Sequence, residues 1–98
     1  MFIAIVNYKV SIEEVERNLA DHRRFLDENF AKGHIITSGP QIPRTGGVIM
    51  LSAPDIDVAR ALLADDPFNV RGIADYTIVE FTPTKFCTEA LRGILCKD

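Results

Sequence analysis

The chain has 98 residues, of which 47% are hydrophobic and 26% charged, and its formal net charge is −3. This length fits one domain, and the composition is that of an ordinary globular protein. The negative charge and the scattered lysines and arginines argue against nucleic acid as a partner, since nucleic-acid binders concentrate basic residues on one face. No apolar run approaches the roughly 20 residues that cross a bilayer, and the N-terminus lacks signal-peptide features, so we expect a cytoplasmic protein that does not contact membranes.

The chain begins with a predicted strand followed by a long helix. Residues 2–8 carry apolar side chains on both faces, which is typical of a strand that is covered on both sides. Ser11 and Glu14 form a capping box, and Gly33 supplies a left-handed C-cap. We therefore expect a helix over residues 12–32.

One residue departs from the apolar pattern of this helix. The inward stripe, taken at helical spacing, consists of Ile12, Val15, Leu19, His22, Leu26 and Phe30. His22 thus occupies a position where the pattern favours Leu or Ile. An imidazole titrates near neutral pH and suits general acid/base chemistry, although a helix histidine can also simply bond a nearby carbonyl.

The rest of the chain predicts three more strands, a second long helix and a short C-terminal helix. Asp55 is a suitable N-cap, and Pro67 disfavours helix at the residue before it, so this helix should end by Asp65. The remaining expected elements are strands at 34–38, 48–53 and 73–81 and a short C-terminal helix within 85–95.

The resulting order, β-α-β-β-α-β, predicts an α+β, ferredoxin-like fold with a four-stranded antiparallel sheet and two helices on one face. The helices cover one face only, whereas the strands are apolar on both. An exposed apolar face usually marks an interface, so we expect a homodimer that packs sheet against sheet around a twofold axis. The single domain, residues 1–98, divides into a core, residues 1–84, and a tail, residues 85–98, which such a dimer could exchange.

The run Asp65-Asp66-Pro67-Phe68 supplies a carboxylate that could meet His22. Asp66 is also expected to cap a short helix that begins at Pro67, and a carboxylate has enough acceptor sites for both roles. Asp65 is the competing partner, but as the last residue of its helix it should face solvent.

Two loops and the remaining histidine offer weaker candidate sites. Ser38-Gly39-Pro40 could form a cavity rim near an oxyanion or simply a turn, and no serine-nucleophile pattern surrounds it. Arg44-Thr45-Gly46-Gly47 resembles an anion-binding loop only loosely, so a flexible loop is favoured. His34 is expected to be an exposed or edge residue rather than a metal ligand.

Cys87 and Cys96 have no Cys or His neighbours at the spacing of metal ligands. We expect two reduced thiols, no metal site and no cofactor.

Four segments resemble the YciI-related (YCII) family, and together they cover roughly residues 1–84. They are His22-Arg23-Arg24-Phe25-Leu26, Gly33 through Ser38-Gly39-Pro40, Pro43-Arg44-Thr45-Gly46-Gly47-Val48-Ile49, and Asp66-Pro67-Phe68 with Gly72.

The resemblance implies a dimeric α/β barrel with a cavity between sheet and helices in each protomer. It places the family's His–Asp pair on His22 and Asp66, and it implies the general acid/base role of dehydrochlorinase-type enzymes. We expect a small organic molecule to contact Ser38, Gly39, Pro40, Arg44 and Phe68. Relatives often carry an arginine three residues before the histidine, where this chain has Leu19; Arg44 and Arg23 are the candidate substitutes.

Three functions follow from these observations. The first is a lyase or isomerase that uses the His–Asp pair, the second a metabolite-binding module without chemistry, and the third a structural dimerisation domain. The first two need an open cavity beside His22, and the third predicts a filled core there.

Overall fold

The computed structural model describes residues 1–96 and has the ferredoxin-like α+β fold that the sequence predicts. Its elements are β1 (Phe2–Tyr8), α1 (Ile12–Ala31), β2 (Ile35–Pro40), β3 (Gly46–Leu51), α2 (Ile56–Ala64), α3 (Pro67–Val70), β4 (Ala74–Glu80) and α4 (Glu89–Leu95). The four strands form one antiparallel sheet in the order β2-β3-β1-β4.

The predicted caps of the two longer core helices are largely present. Oγ of Ser11 accepts from the backbone N–H of Glu14 at 3.3 Å, and the Asp55 side chain caps α2 in the same way at 2.9 Å. The capping box is only half formed, because the Glu14 carboxylate bonds Arg17 instead of returning to the cap. Gly33 has a φ of 77° and so adopts the left-handed conformation expected after the helix.

The strand boundaries near the glycines differ from the prediction. β2 continues through Pro40, which pairs with Gly47, and β3 already begins at Gly46, which pairs with Asn7. A Cβ at Gly46 would lie 1.7 Å from the carbonyl oxygen of Val6. The glycines that suggested a loop therefore serve a close approach between two paired strands.

The buried stripe of α1 differs from the predicted one: Phe25 and Asn29, which the pattern did not include, are buried, and the predicted Leu19, His22 and Leu26 are half-buried. Its buried residues are Val15, Phe25 and Asn29, whereas Ile12 and Phe30 at the two ends are 41% and 38% exposed. Phe30 directly follows the buried Asn29, so its exposure reflects the face of the helix on which it lies.

The sheet has one covered and one open face. The covered face carries the buried core residues Phe2, Ala4, Val6, Ile49 and Leu51. The open face, as we call the opposite side, carries Ile3, Ile5, Val48, Met50 and Val79. Val48 is 38% and Val79 46% exposed, so apolar surface remains uncovered on this side, as the strand patterns predict.

The described part of the tail, residues 85–96, lies outside the core. The predicted helix forms but begins later than residue 85, at Glu89 after the N-cap Thr88, and none of its residues is buried. Cys87 and Cys96 are exposed free thiols. The last two positions of the expected tail, 97 and 98, lie outside the described residues. None of the helices within residues 1–96 is both long and apolar enough to cross a membrane.

Candidate active site

His22 and Asp66 meet although 44 residues separate them in sequence. Nδ1 of His22 lies 2.8 Å from Oδ1 of Asp66. The Asp66 side chain is fully buried, and that of His22 is 13% exposed. The competing carboxylate, Asp65, is exposed at the C-cap of α2.

The carboxylate of Asp66 accepts three hydrogen bonds. Besides His22, Oδ1 accepts the backbone N–H of Phe68 at 3.0 Å, which caps the short helix α3. Oδ2 accepts the hydroxyl of Tyr76 at 2.5 Å. Capping and histidine binding therefore coexist, and both oxygens of this buried group are satisfied.

The partner of Nδ1 determines the tautomer of the neutral imidazole, that is, which ring nitrogen carries the proton. A carboxylate can only accept, so Nδ1 of His22 carries the proton and Nε2 keeps a lone pair. The hydrogen bond to Asp66 also stabilises the imidazolium that forms when Nε2 takes up a proton.

Aromatic contacts fix the plane of the imidazole. The rings of His22 and Phe68 are parallel, with centroids 3.9 Å apart. Tyr8 meets Phe68 edge to face at 6.0 Å. The backbone of Phe68 bonds the carboxylate while its ring supports the imidazole, so one residue orients both members of the pair.

A cavity of about 420 Å³ adjoins this pair. Its apolar wall includes Val6, Leu19, Leu26, Pro40, Ile49 and Phe68, and its polar wall includes Tyr8, Glu16, His22, Arg23, Ser38 and Arg44. All five predicted ligand positions, Ser38, Gly39, Pro40, Arg44 and Phe68, line it. Of the two paired residues, His22 lines the cavity, while Asp66 lies behind it.

The arginine expected in many relatives is replaced by an apolar surface here. Leu19 lines the cavity, and the nearby Arg44 binds Glu16, with 2.5 Å between Nη1 and Oε1. Hydrogen bonds to Glu16 and Tyr8 raise the pKa of the Arg44 guanidinium further. Part of the positive charge at this end of the cavity is therefore matched by a carboxylate of the same chain.

Tyr76 is a residue of the site that the sequence reasoning missed. Burial, together with the neighbouring Asp66 carboxylate, raises the pKa of the Tyr76 hydroxyl far above its ordinary value. A signal was present, since Ala74, Tyr76 and Ile78 alternate on the covered side of β4. A tyrosine on a covered face needs a partner for its hydroxyl.

The other predicted positions stand apart from the pair. His34 is exposed, and its Nδ1 lies 3.1 Å from the amide oxygen of Asn29. Among residues 1–96, no three His, Cys, Asp or Glu side chains are grouped so that they could hold a metal ion.

Comparison with known proteins identifies the family of this chain and a solved structure of similar fold. The YCII-related domain matches residues 1–82, so the match ends before α4. The chain is similar in structure to 5-chloro-2-hydroxyhydroquinone dehydrochlorinase from Burkholderia phenoliruptrix AC1100, solved in complex with 2,5-dihydroxybenzoquinone. The TM-score is 0.69 at 20% identity, over 84% of this chain and 94% of that chain. Among curated protein sequences, none matches significantly.

Proposed function

This chain belongs to the YCII-related family, and on that premise we propose that it is a lyase or isomerase for a small organic molecule. The His22–Asp66 pair acts as its general acid/base, without a cofactor. One observation carries the proposal: a histidine whose Nδ1 is held by a buried carboxylate lines a cavity of about 420 Å³. A cavity of this size is within the usual range for small-molecule sites.

The proposed chemistry begins with proton abstraction by Nε2 of His22. The hydrogen is removed from an sp³ carbon, which a hydroquinone has in its keto tautomer. The electron pair of the broken C–H bond forms a double bond, and in a lyase reaction the leaving group departs from the adjacent carbon with its own bonding pair. In an isomerisation, the imidazolium returns the proton to a different carbon instead. Asp66 stabilises the positive ring in both cases and stays ionised.

The walls of the cavity favour a small ring compound as the substrate. Leu19, Leu26 and Ile49 supply apolar contact area, and Ser38 offers a hydroxyl for an oxygen substituent. Arg44 can bind a partly ionised hydroxyl group if that group replaces Glu16. The quinone held by the dehydrochlorinase of similar fold supports a compound of this class.

We also propose that the protein is a cytoplasmic homodimer joined through the open face. The exposed side chains of Val48 and Val79 support this, because a second copy would remove them from water. Sedimentation at micromolar concentration should give a dimer, and Val79→Asp should give a monomer. A monomeric wild-type protein would contradict the assembly.

The test of the catalytic proposal is an assay in deuterated water. Hydroxyquinones and chlorinated hydroquinones are incubated with the protein while ¹H NMR follows ring C–H signals and an electrode follows chloride release. We expect deuterium incorporation or chloride release with wild-type protein and neither with His22→Ala. A compound that is bound but never converted would instead support a metabolite-binding module. The cavity weighs against a purely structural domain, which predicts a filled core around His22.

A further inference from the structure

We propose that Tyr76 is a positioning residue, which keeps the Asp66 carboxylate ionised and so keeps Nε2 of His22 free to accept a proton from a molecule in the cavity. The inference deepens the proposed function and rests on it for its catalytic consequence. Tyr76 lies on β4, and its hydroxyl donates to Oδ2 of Asp66 at 2.5 Å. It is not among the residues that line the cavity, so it acts through Asp66 rather than on a substrate.

The two oxygens of Asp66 have separate tasks. Oδ1 serves His22 and the N–H of Phe68, while Oδ2 serves Tyr76. Asp66 is 0% exposed, so its carboxylate depends on protein donors rather than on bulk water in the folded chain. Without the Tyr76 hydroxyl, the buried charge loses its donor on that side, and proton uptake by the carboxyl becomes easier.

A protonated Asp66 would reverse the hydrogen bond to His22. Its hydroxyl would donate to Nδ1, and the proton of the neutral imidazole would then have to lie on Nε2. In that form Nε2 has no lone pair and cannot act as a base. The Tyr76 hydroxyl therefore favours the arrangement in which Asp66 accepts and Nε2 remains free.

Apart from His22, no cationic side chain among residues 1–96 contacts the Asp66 carboxylate, so Tyr76 is the side chain that stabilises its charge at Oδ2. From α1, His22 contacts the carboxylate, while Asp21 pairs with Arg71 near the surface at 2.9 Å. From α2, the nearest acid in sequence, Asp65, is exposed. The hydrogen-bond donors to Asp66 in residues 1–96 are thus two neutral groups and His22. The raised pKa of Tyr76 keeps its hydroxyl protonated, and hence a donor, across the neutral range.

The test compares Tyr76→Phe with wild type by ¹⁵N NMR of the histidine rings across pH, without any substrate. Wild-type His22 should change from a neutral ring protonated on Nδ1 to a doubly protonated ring as the pH falls. In Tyr76→Phe the His22–Asp66 pair should take up its proton at higher pH, and the protonated pair should show a neutral ring protonated on Nε2. Ile78→Val, a mild truncation on the same strand and the same face, should leave the His22 spectrum unchanged.

Activity supplies the second readout. We expect kcat of Tyr76→Phe to fall roughly ten- to a hundredfold, as for a lost hydrogen bond to a charged group, with KM nearly unchanged. The acid limb of its pH profile should move to higher pH. A measurement on the wild-type protein covers the case in which the variant does not fold. If the Tyr76 hydroxyl is held by Asp66, its proton should exchange with water slowly enough to give a signal in ¹H NMR spectra.

The outcomes separate this inference from the proposed function. An unchanged ring form and titration midpoint in folded Tyr76→Phe, or a rapidly exchanging Tyr76 hydroxyl in wild type, would overturn the positioning role even if activity fell. If the NMR changes occur but wild type converts none of the compounds, Tyr76 positions the pair and the proposed function fails. If wild type is active and Tyr76→Phe keeps both its spectrum and its kcat, only this inference fails.

Discussion

The two histidines of the chain have different surroundings, although His22 lies on α1 and His34 follows shortly after the same helix. Nδ1 of His22 lies 2.8 Å from a buried carboxylate, in a side chain that is 13% exposed. Nδ1 of His34, just after α1, lies 3.1 Å from the amide oxygen of Asn29. The residue itself is exposed to solvent. The amide nitrogen of Asn29 bonds the carbonyl of Phe25, which leaves its oxygen for His34.

The contrast shows that the partner and the cavity, rather than the residue type, give a histidine its chemistry. A carboxylate compensates the charge of an imidazolium, whereas an amide oxygen offers only a dipole. His22 lines the cavity beside the sheet, while His34 borders an open groove between the two long helices. The expected difference between the two residues can be measured directly.

Removing each imidazole should give the largest difference. We expect His22→Ala to lower kcat/KM by roughly 10²- to 10⁴-fold, the range for loss of a general acid/base, and His34→Ala to leave it unchanged. Steady-state kinetics on the compound that wild type converts best would measure both. Similar losses in the two variants would mean that the contrast has no catalytic meaning.

Changing the partner of His22 while keeping its ring should have the next largest effect. Asp66→Asn can still cap α3, but its amide can donate to Nδ1 and so leave the proton on Nε2. We expect kcat to fall on the order of 100-fold. Asp65→Asn, one residue away and exposed, is the matched control. Full activity in Asp66→Asn would show that the charge of the partner is irrelevant.

The carboxylate network should also give the His22 region a pH-dependent stability. The pKa of Tyr76 is raised above its ordinary value of 10 by burial and by Asp66. Below pH 10 the folded and unfolded chains both hold this proton, so stability does not depend on it. Above pH 10 the unfolded chain loses the proton first, and the free energy of unfolding should fall as the pH rises.

Urea titrations at several pH values between about pH 9 and pH 11 would test this, because that range spans the ordinary Tyr pKa of about 10. Tyr76→Phe should show a shallower decline than wild type, because other titrating groups contribute equally to both proteins. Parallel declines would indicate that Tyr76 ionises normally in the folded state.

The smallest effect on stability should come from the exposed ion pair at the cavity. Arg44→Ala removes the contact to Glu16, and an exposed pair of this kind contributes little to stability because solvent and salt screen it. If Arg44 binds the substrate, KM should rise roughly several-fold, the size expected for one solvent-exposed charged contact, with kcat nearly unchanged. Thermal melts and saturation curves would separate these two effects. An unchanged KM would remove Arg44 from the proposed ligand contacts.

Much of the fold could be predicted because it depends on local patterns. Alternation, helical spacing and the caps at Ser11 and Asp55 gave the element order and hence the topology. The patterns were less informative where pairing with a neighbouring strand determines the structure. Gly46 suggested a loop because glycine is common in loops. In the fold it lies in β3, where the absence of a side chain lets the strand approach the backbone of Val6 in β1.

The candidate site was partly predictable for a related reason. His22 was visible as a polar residue in an apolar stripe, and the family resemblance selected Asp66 over Asp65. Tyr76 was overlooked because β4 looks like an ordinary strand until its hydroxyl is seen to meet the carboxylate. The cavity volume depends on how α1 lies over the sheet, and no residue pattern encodes that distance.

The close approach at Gly46 also limits how this protein could be redesigned. At that end the cavity wall is backbone, and a Cβ at Gly46 would overlap the carbonyl of Val6. A library that seeks new ligand preference has little freedom there without separating β3 from β1. The variable positions are on α1, where Leu19, Arg23 and Leu26 line the same cavity, so diversity should be introduced on the helix while the strand ends stay fixed.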